Sequence, residues 1–229
     1  MTEPFYDEAF FRSHHAGSLR SARAIVPLFL AKYRPASVVD VGCGSGAWLK
    51  AFQEHGIADV WGIDGEHFDD GRSCIPSNLR SRHDLRKPLQ LDRTFDLAAC
   101  LEVAEHLPAE AAGALVESLT ALSSVVLFSA AIPFQGGTGH VNEQWPEYWA
   151  NLFLARQYVP LDFLRPEVWQ NADVEWWYAQ NLLVYVRLRA VVENETLRRE
   201  FGMTSLKRLA MVHPKCYLRN HRNRGDAPT

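Results

Sequence analysis

The chain of 229 residues is 47% hydrophobic and 22% charged, the make-up of a soluble globular protein with one sizeable core and decorations. Its net charge of -3 argues against a nucleic-acid groove or an anionic membrane surface as the main partner, and no apolar run approaches the ~20 residues of a membrane span. Cys43, Cys74, Cys100 and Cys216 form no C-x-x-C pair, so neither a disulfide framework nor a zinc ribbon is suggested. With Glu3, Asp7 and Glu8 where a secretory signal would be basic and then apolar, a cytoplasmic protein is expected.

From the N-terminus, Phe5-Tyr6-Asp7-Glu8-Ala9-Phe10-Phe11 is an aromatic segment that suits either packing on a sheet or a lid over a ligand. Leu19, Ala22, Ile25, Val26, Phe29 and Leu30 then recur at helical spacing and predict a helix over Ser18 to Tyr33, kinked or restarted at Pro27. Val38-Val39-Asp40-Val41 reads as a buried parallel strand, broken by Gly42, Gly44 and Gly46, after which Ala47-Trp48-Leu49-Lys50-Ala51-Phe52 begins a helix. Glycine at every second position lets the chain turn through angles closed to other residues and leaves no Cβ between the turn and a ligand. The free N–H groups at the start of the following helix favour a phosphate or a carboxylate there.

That helix stops near His55-Gly56, and Asp59-Val60-Trp61-Gly62-Ile63-Asp64 is a second strand ending in an acid. Asp64 lies roughly 20 residues beyond the glycines, the spacing at which doubly wound folds hold ribose hydroxyls. Ser77 to Arg93 is polar and loop-like and contains Asp84-Leu85. Phe95 to Leu101 is a buried strand that runs into Glu102-Val103-Ala104-Glu105-His106. Ligands of open α/β sheets bind beyond the carboxyl ends of the strands, so Glu102, Glu105 and His106 fall on the same rim as Gly42 to Gly46 and Asp64.

An alanine-rich helix from Pro108 to about Leu122 and a strand from Ser124 to Ala130 continue the alternation, which predicts an α/β fold: a doubly wound, Rossmann-like parallel sheet with helices on both faces. Ile132 to Pro146 is a glycine-rich loop, and loops held over a rigid rim commonly carry function. Glu147 to Gln157 predicts a helix with Tyr148, Leu152 and Ala155 on one face and Trp149 and Phe153 beside it. Trp145, Trp149, Trp176 and Trp177 either pack the core or form an aromatic wall for a flat acceptor or a sugar ring. Leu182 to Leu188 is the last clear strand, and the basic stretch Lys215 to Arg224 reads as a solvated end.

A strand, a glycine turn, a helix and a ribose-binding acid suit either a nicotinamide dehydrogenase or an S-adenosylmethionine enzyme. The dinucleotide fingerprint is G-x-G-x-x-G, whereas Gly42, Gly44 and Gly46 give G-x-G-x-G with Asp40 two residues ahead. The run Val38 to Gly46 resembles the first motif of class I S-adenosylmethionine-dependent methyltransferases. Asp64 matches that family's acid after the second strand, Asp84-Leu85 resembles the pair flanking its adenine, and Leu101 to His106 is similar to its segment after the fourth strand. Gly137 to Trp145 resembles a bacterial subgroup of these enzymes. The resemblance covers Ser37 to Arg189 and implies a seven-stranded, mostly parallel sheet with an antiparallel last strand.

Carried onto this chain, the resemblance implies that the methionyl part of the cofactor S-adenosyl-L-methionine approaches Gly42, Gly44 and Gly46, with Asp40 acting on its amine directly or through water. It implies that Asp64 holds the ribose hydroxyls, Asp84 the adenine amino group and the Leu85 backbone the ring edge, with Glu102 a further cofactor-binding residue. The corresponding division is an N-terminal helical segment and lid over residues 1–35, a cofactor-binding domain over 36–191 with an acceptor loop at 131–180, and a C-terminal helix and basic tail over 192–229.

Methyl transfer is an in-line displacement from a sulfonium, so alignment does much of the work, and a hydroxyl acceptor also needs its proton removed. His140, in the glycine-flanked loop, is the first candidate for the base, Glu143 its orienting or second basic group, and His106 a further catalytic candidate. O-methylation of a small molecule or a sugar is the expected activity. Glu102-x-x-Glu105-His106 departs from the inverted zinc motif H-x-x-E-H at position 102, so no metal is expected. Two alternatives stand beside this. One is a nucleic-acid or protein methyltransferase, although Glu102-Val103-Ala104-Glu105 stands where DNA amino-methyltransferases carry N/D-P-P-Y/F. The other is a non-catalytic cofactor-binding module.

Overall fold

The computed structural model describes residues 8–65 and 73–223, with side chains over 17–65 and 73–220. Helix α1 (Glu8–Leu30) leads into β1 (Ser37–Val41), α2 (Ala47–Glu54), β2 (Asp59–Asp64), β3 (Arg80–Arg82) and β4 (Leu97–Leu101). Then come α3 (Ala112–Leu122), β5 (Val125–Ser129), α4 (Pro146–Leu154), β6 (Tyr158–Leu161), α5 (Arg165–Val168), α6 (Trp176–Asn181), β7 (Leu183–Arg187), α7 (Leu188–Glu193), α8 (Glu195–Met203) and α9 (Pro214–Asn223). The strands form one seven-stranded sheet in the order β3-β2-β1-β4-β5-β7-β6. β7 runs antiparallel to both β5 and β6, and the other pairs are parallel, which is the mostly parallel sheet with an antiparallel last strand that the sequence predicts.

The strands are apolar on both faces because both are covered. Val38, Leu97, Ala99, Val125, Leu127, Val184 and Val186 pack with α1 and α2, whereas Val39, Val41, Ala98, Cys100, Val126, Phe128 and Tyr185 pack with α3 and α4. On the first side Ala22, Ile25, Val26 and Phe29 of α1 are fully buried, and Phe29 meets Phe52 of α2 edge to face. Burial of Ile25, Val26 and Phe29 contributes about 1.5–3 kcal/mol each relative to leaving them in water. α2 ends where Gly56 takes φ +87 and Ile57 N–H bonds the Phe52 carbonyl at 3.1 Å, the glycine stop expected there.

Four sequence expectations are corrected. α1 starts at Glu8, ahead of the apolar pattern, and runs through Pro27 without a restart, because Pro27 faces solvent and its carbonyl still accepts from Ala31 N–H at 3.0 Å. The polar stretch after Ser77 contains the edge strand β3. α4 stops at Leu154 and buries Trp149, Ala150 and Phe153, while Ala155 is exposed. The basic stretch is, up to Asn223, the helix α9: Cys216 is 2% exposed and Asn220 Nδ2 donates to the Phe134 carbonyl at 2.6 Å. The aromatic segment Phe5 to Phe11 lies outside the described side chains. Among the described residues no helix is long and apolar enough to cross a membrane.

Candidate active site

The turn after β1 is laced to the end of β2. Gly42 N–H and Cys43 N–H donate to the Ile63 carbonyl at 2.7 and 3.0 Å, and Gly44 N–H donates to Asp64 Oδ2 at 2.5 Å. Gly42 must be glycine twice over: its φ is +83, and a Cβ would stand 2.3 Å from Val103 Cγ2. Gly44, at φ +51, faces open space, since a Cβ there would meet nothing within 4 Å. A ligand therefore has direct access to the backbone at Gly44, with Gly46 capping α2 beside it.

Asp40, inside β1, is 2% exposed and its Oδ2 has no partner among the described residues. Burial, and then the nearby Asp64 charge, push its pKa up to about 8. An orphaned buried carboxyl oxygen is costly unless a donor reaches it, and an ammonium group supplies both the donor and the charge. The methionyl amine of the cofactor fits that need. Asp64 accepts from Gly44 N–H on one oxygen and from Gly65 N–H, at 2.6 Å, on the other, which leaves lone pairs on both for hydroxyl groups.

His83 N–H donates to the Asp64 carbonyl at 2.8 Å and brings Asp84-Leu85 alongside β2. Leu85 is buried, whereas the Asp84 carboxylate is held by the Arg86 guanidinium at 2.8 and 3.0 Å. That hydrogen bonding lowers the Asp84 pKa to about 2. An adenine amino group would share this carboxylate with Arg86.

Past β4 the backbone kinks through Glu102, a non-glycine residue at φ +54 whose N–H donates to Ser129. Such geometry is strained and persists where surroundings enforce it. Here Asn181 Nδ2 donates to both Glu102 oxygens, at 3.0 and 3.3 Å, and Gln135 Nε2 donates at 3.2 Å. Gln180 Nε2 donates in turn to Gln135 Oε1 at 2.9 Å. Burial raises the Glu102 pKa, with these donors opposing it. Gln135, Gln180 and Asn181 went unread in the sequence; the one signal for Gln180 and Asn181 is that they close an aromatic helix directly before the last strand, and Gln135 in the loop has none.

The loop from Ala131 to Trp145 wraps around Glu143. Gly136 N–H and Phe134 N–H donate to its two oxygens at 2.7 and 2.8 Å, and His140 Nδ1 stands 2.8 Å from Oε1. Val141 and Asn142 N–H bond the Glu105 carbonyl at 2.8 and 3.0 Å, which pins the loop to the turn after β4. His140 thereby meets His106 edge to face, ring centroids 4.9 Å apart. Partial burial and then the neighbouring His140 lower the His106 pKa, although solvent still reaches the ring. Glu105 is fully buried, and burial together with the Glu102 charge raises its pKa well above the usual carboxylate range. The structure thus gathers His106, His140 and Glu143 into one cluster and Asp40, the glycines and Asp64 into another on the same rim. Of the four tryptophans, Trp149 is core, packed on Phe128, while Trp145 is 42% exposed.

Comparison with known proteins identifies the family. A family described as a methyltransferase domain matches residues 12–158. No curated protein sequence matches the chain. Among solved structures it is similar to magnesium protoporphyrin IX methyltransferase (ChlM) from Synechocystis PCC 6803, at 20% identity over 77% of this chain and 87% of that one, with a TM-score of 0.56. It is also similar to the sugar N-methyltransferase KedS8 from Streptoalloteichus sp ATCC 53650 (16%, 82% and 97%, 0.58). The amino pentose methyltransferase CalS10 from Micromonospora echinaspora is similar too (17%, 82% and 100%, 0.56). The chain belongs to the methyltransferase domain family, within the class I, S-adenosylmethionine-dependent enzymes that its motifs resemble.

Proposed function

We propose that this enzyme O-methylates a small-molecule or sugar acceptor, and that its acceptor side is built by the chain between residues 131 and 180. The observation that carries this reading is the His140 Nδ1 to Glu143 Oε1 contact of 2.8 Å, an imidazole oriented by a carboxylate, at the rim where β4 and β5 end. A nucleophile with a proton to lose needs such a group. Bound S-adenosylmethionine supplies the electrophilic methyl group. Asp40 takes the methionyl ammonium, Asp64 the ribose hydroxyls, and Asp84 with the Leu85 backbone the adenine edge. Glu143 fixes the ring of His140, whose Nε2 then accepts the hydroxyl proton; His106 stands against that ring. Glu102 holds the loop and α6 in place beside the cofactor.

Two of the similar structures are sugar methyltransferases by name, so sugars are the first acceptors to try. The test is transfer from methyl-labelled cofactor to a panel of sugars, phenols and carboxylic acids, with the product bond identified by mass spectrometry. Label on oxygen that is lost in His140→Ala supports the proposal. Label on nitrogen alone, or turnover indifferent to His140→Ala, sinks it.

A further inference from the structure

Glu105 and His106 from the turn after β4 and His140 from the glycine loop bring one ligand atom each to within 4.8 Å of one another. We propose that these three side chains bind a divalent cation of the manganese-to-zinc series and that the cation holds the acceptor oxygen. A two-imidazole, one-carboxylate set suits those metals and leaves further positions open. Bond lengths near 2.1 Å put ligand atoms about 3.4 Å apart in a tetrahedral site, so closure needs ligand atoms to shift by less than about 2 Å.

Three observations besides proximity point to a ligand. Glu105 is fully buried, and neither carboxylate oxygen has a hydrogen-bond partner among the described residues. The loop is pinned by the Glu105 carbonyl and not by its side chain, so the pinning of the loop does not account for the buried carboxylate. One imidazole is also held from behind: His140 Nδ1 stands 2.8 Å from Glu143 Oε1, so Nε2, which abuts Gly137, is the nitrogen left for a ligand. Ligating histidines are regularly oriented by a carboxylate or a carbonyl on the far nitrogen. His106 is solvent-exposed, which provides an entry path.

The contiguous spacing Glu102-x-x-Glu105-His106 gave no zinc signature because the third ligand comes from another loop. The cation's role in transfer rests on the O-methylation reading and revises one role within it: a coordinated hydroxyl loses its proton to solvent at lower pH than a free one, so with the cation bound His140 is its ligand, and it is the base only in the metal-free chain. Binding of the cation does not rest on that reading.

The experiment titrates chelator-stripped protein with Co2+ and reads visible d–d absorption, with S-adenosylhomocysteine binding as the check on folding. One Co2+ per chain is expected. Affinity should fall at least about 10- to 100-fold in Glu105→Gln, His106→Asn and His140→Ala, and to a similar degree in Glu143→Gln, whose residue acts through His140. His106 is exposed, so His106→Asn keeps the test open should the buried Glu105→Gln chain not fold. Absence of the band in excess Co2+, or a band unchanged by all four substitutions, overturns the metal site. Methyl transfer that survives chelation returns His140 to the role of base, and a metal-binding chain that methylates no hydroxyl refutes the acceptor reading alone.

Discussion

Gly44 N–H donates to the Asp64 carboxylate at 2.5 Å, so the acid that ends β2 also fixes the turn that ends β1. The ribose site and the methionyl site proposed above are therefore one hydrogen-bonded unit. Asp64→Ala should weaken cofactor binding by about 1.5–3 kcal/mol, the worth of hydrogen bonds to a charged group, or roughly 10- to 150-fold in Kd. Asp64→Asn, whose NH2 would face the N–H of Gly44 or Gly65, should weaken binding as well. Calorimetric titration with S-adenosylhomocysteine measures both, and a folded Asp64→Ala chain with an unchanged Kd would remove Asp64 from the site.

If Asp40 takes the methionyl ammonium as proposed, cofactor binding should be pH-dependent. With its pKa pushed up to about 8, it is neutral in the free protein at pH 7, and an incoming ammonium favours the carboxylate. Binding should release a proton at pH 7, and affinity should rise with pH and level off above about 8. Stability of the free chain has the opposite slope. Between the unfolded value near 3.9 and about 8, the unfolded state binds fewer protons than the folded one, so stability falls as pH rises, by at most about 1.4 kcal/mol per unit. Titration in buffers of different ionisation enthalpy counts the protons, and denaturant unfolding across the window reads the slope. Asp40→Asn should flatten both profiles; if it leaves both unchanged, another group titrates.

How much of this was legible in the sequence depended on whether the signal was local. β1, the glycine turn, β2 and β5 carry strong apolar runs and punctuation and stand where expected. β3 is Arg-Ser-Arg, an edge strand held by its register on Gly62 to Asp64 and with no apolar pattern to betray it. β6 contains Pro160, which argues against a strand, yet β6 pairs only with β7, so the missing N–H sits at a sheet edge where it is tolerated. The glycines, Asp40 and Asp64 were readable as a motif of fixed spacing. The amides around Glu102 and the meeting of Glu105, His106 and His140 were not, because they depend on where α6 and the long loop return in space.

Asn181 should prove structural despite its place in the site. It donates to both oxygens of buried Glu102 and to Gln135 Oε1, at 3.0 Å for the last. Asn181→Leu preserves the volume but strips the carboxylate of its main donor, and a buried polar group left short of partners costs about 1–3 kcal/mol. Urea unfolding should show that loss with an unchanged m-value. A shift in midpoint worth under about 0.5 kcal/mol would mean that Gln135 alone satisfies Glu102.

Gly137 offers a way to move His140 without touching it. Its φ is not left-handed, so alanine is free of backbone strain there, but the new Cβ would lie 2.2 Å from His140 Nε2 and 2.4 Å from Cε1. No contact that short persists, and the Glu143 bond to Nδ1 limits how far the ring can yield. The ring must turn away from its present position or break from Glu143, and either outcome displaces Nε2 from the place where a hydroxyl or a cation meets it. Gly137→Ala should therefore lower kcat by a factor on the order of 10² to 10⁴, the usual worth of a positioned proton-transfer group, while the S-adenosylhomocysteine Kd and the Tm stay near wild type. Gly113→Ala is the control. A Cβ at Gly113, within α3, meets nothing within 4 Å, so that substitution should leave kcat alone and raise stability by about 0.5–1 kcal/mol. Equal kcat values for the two variants would show that the ring position of His140 is immaterial to transfer.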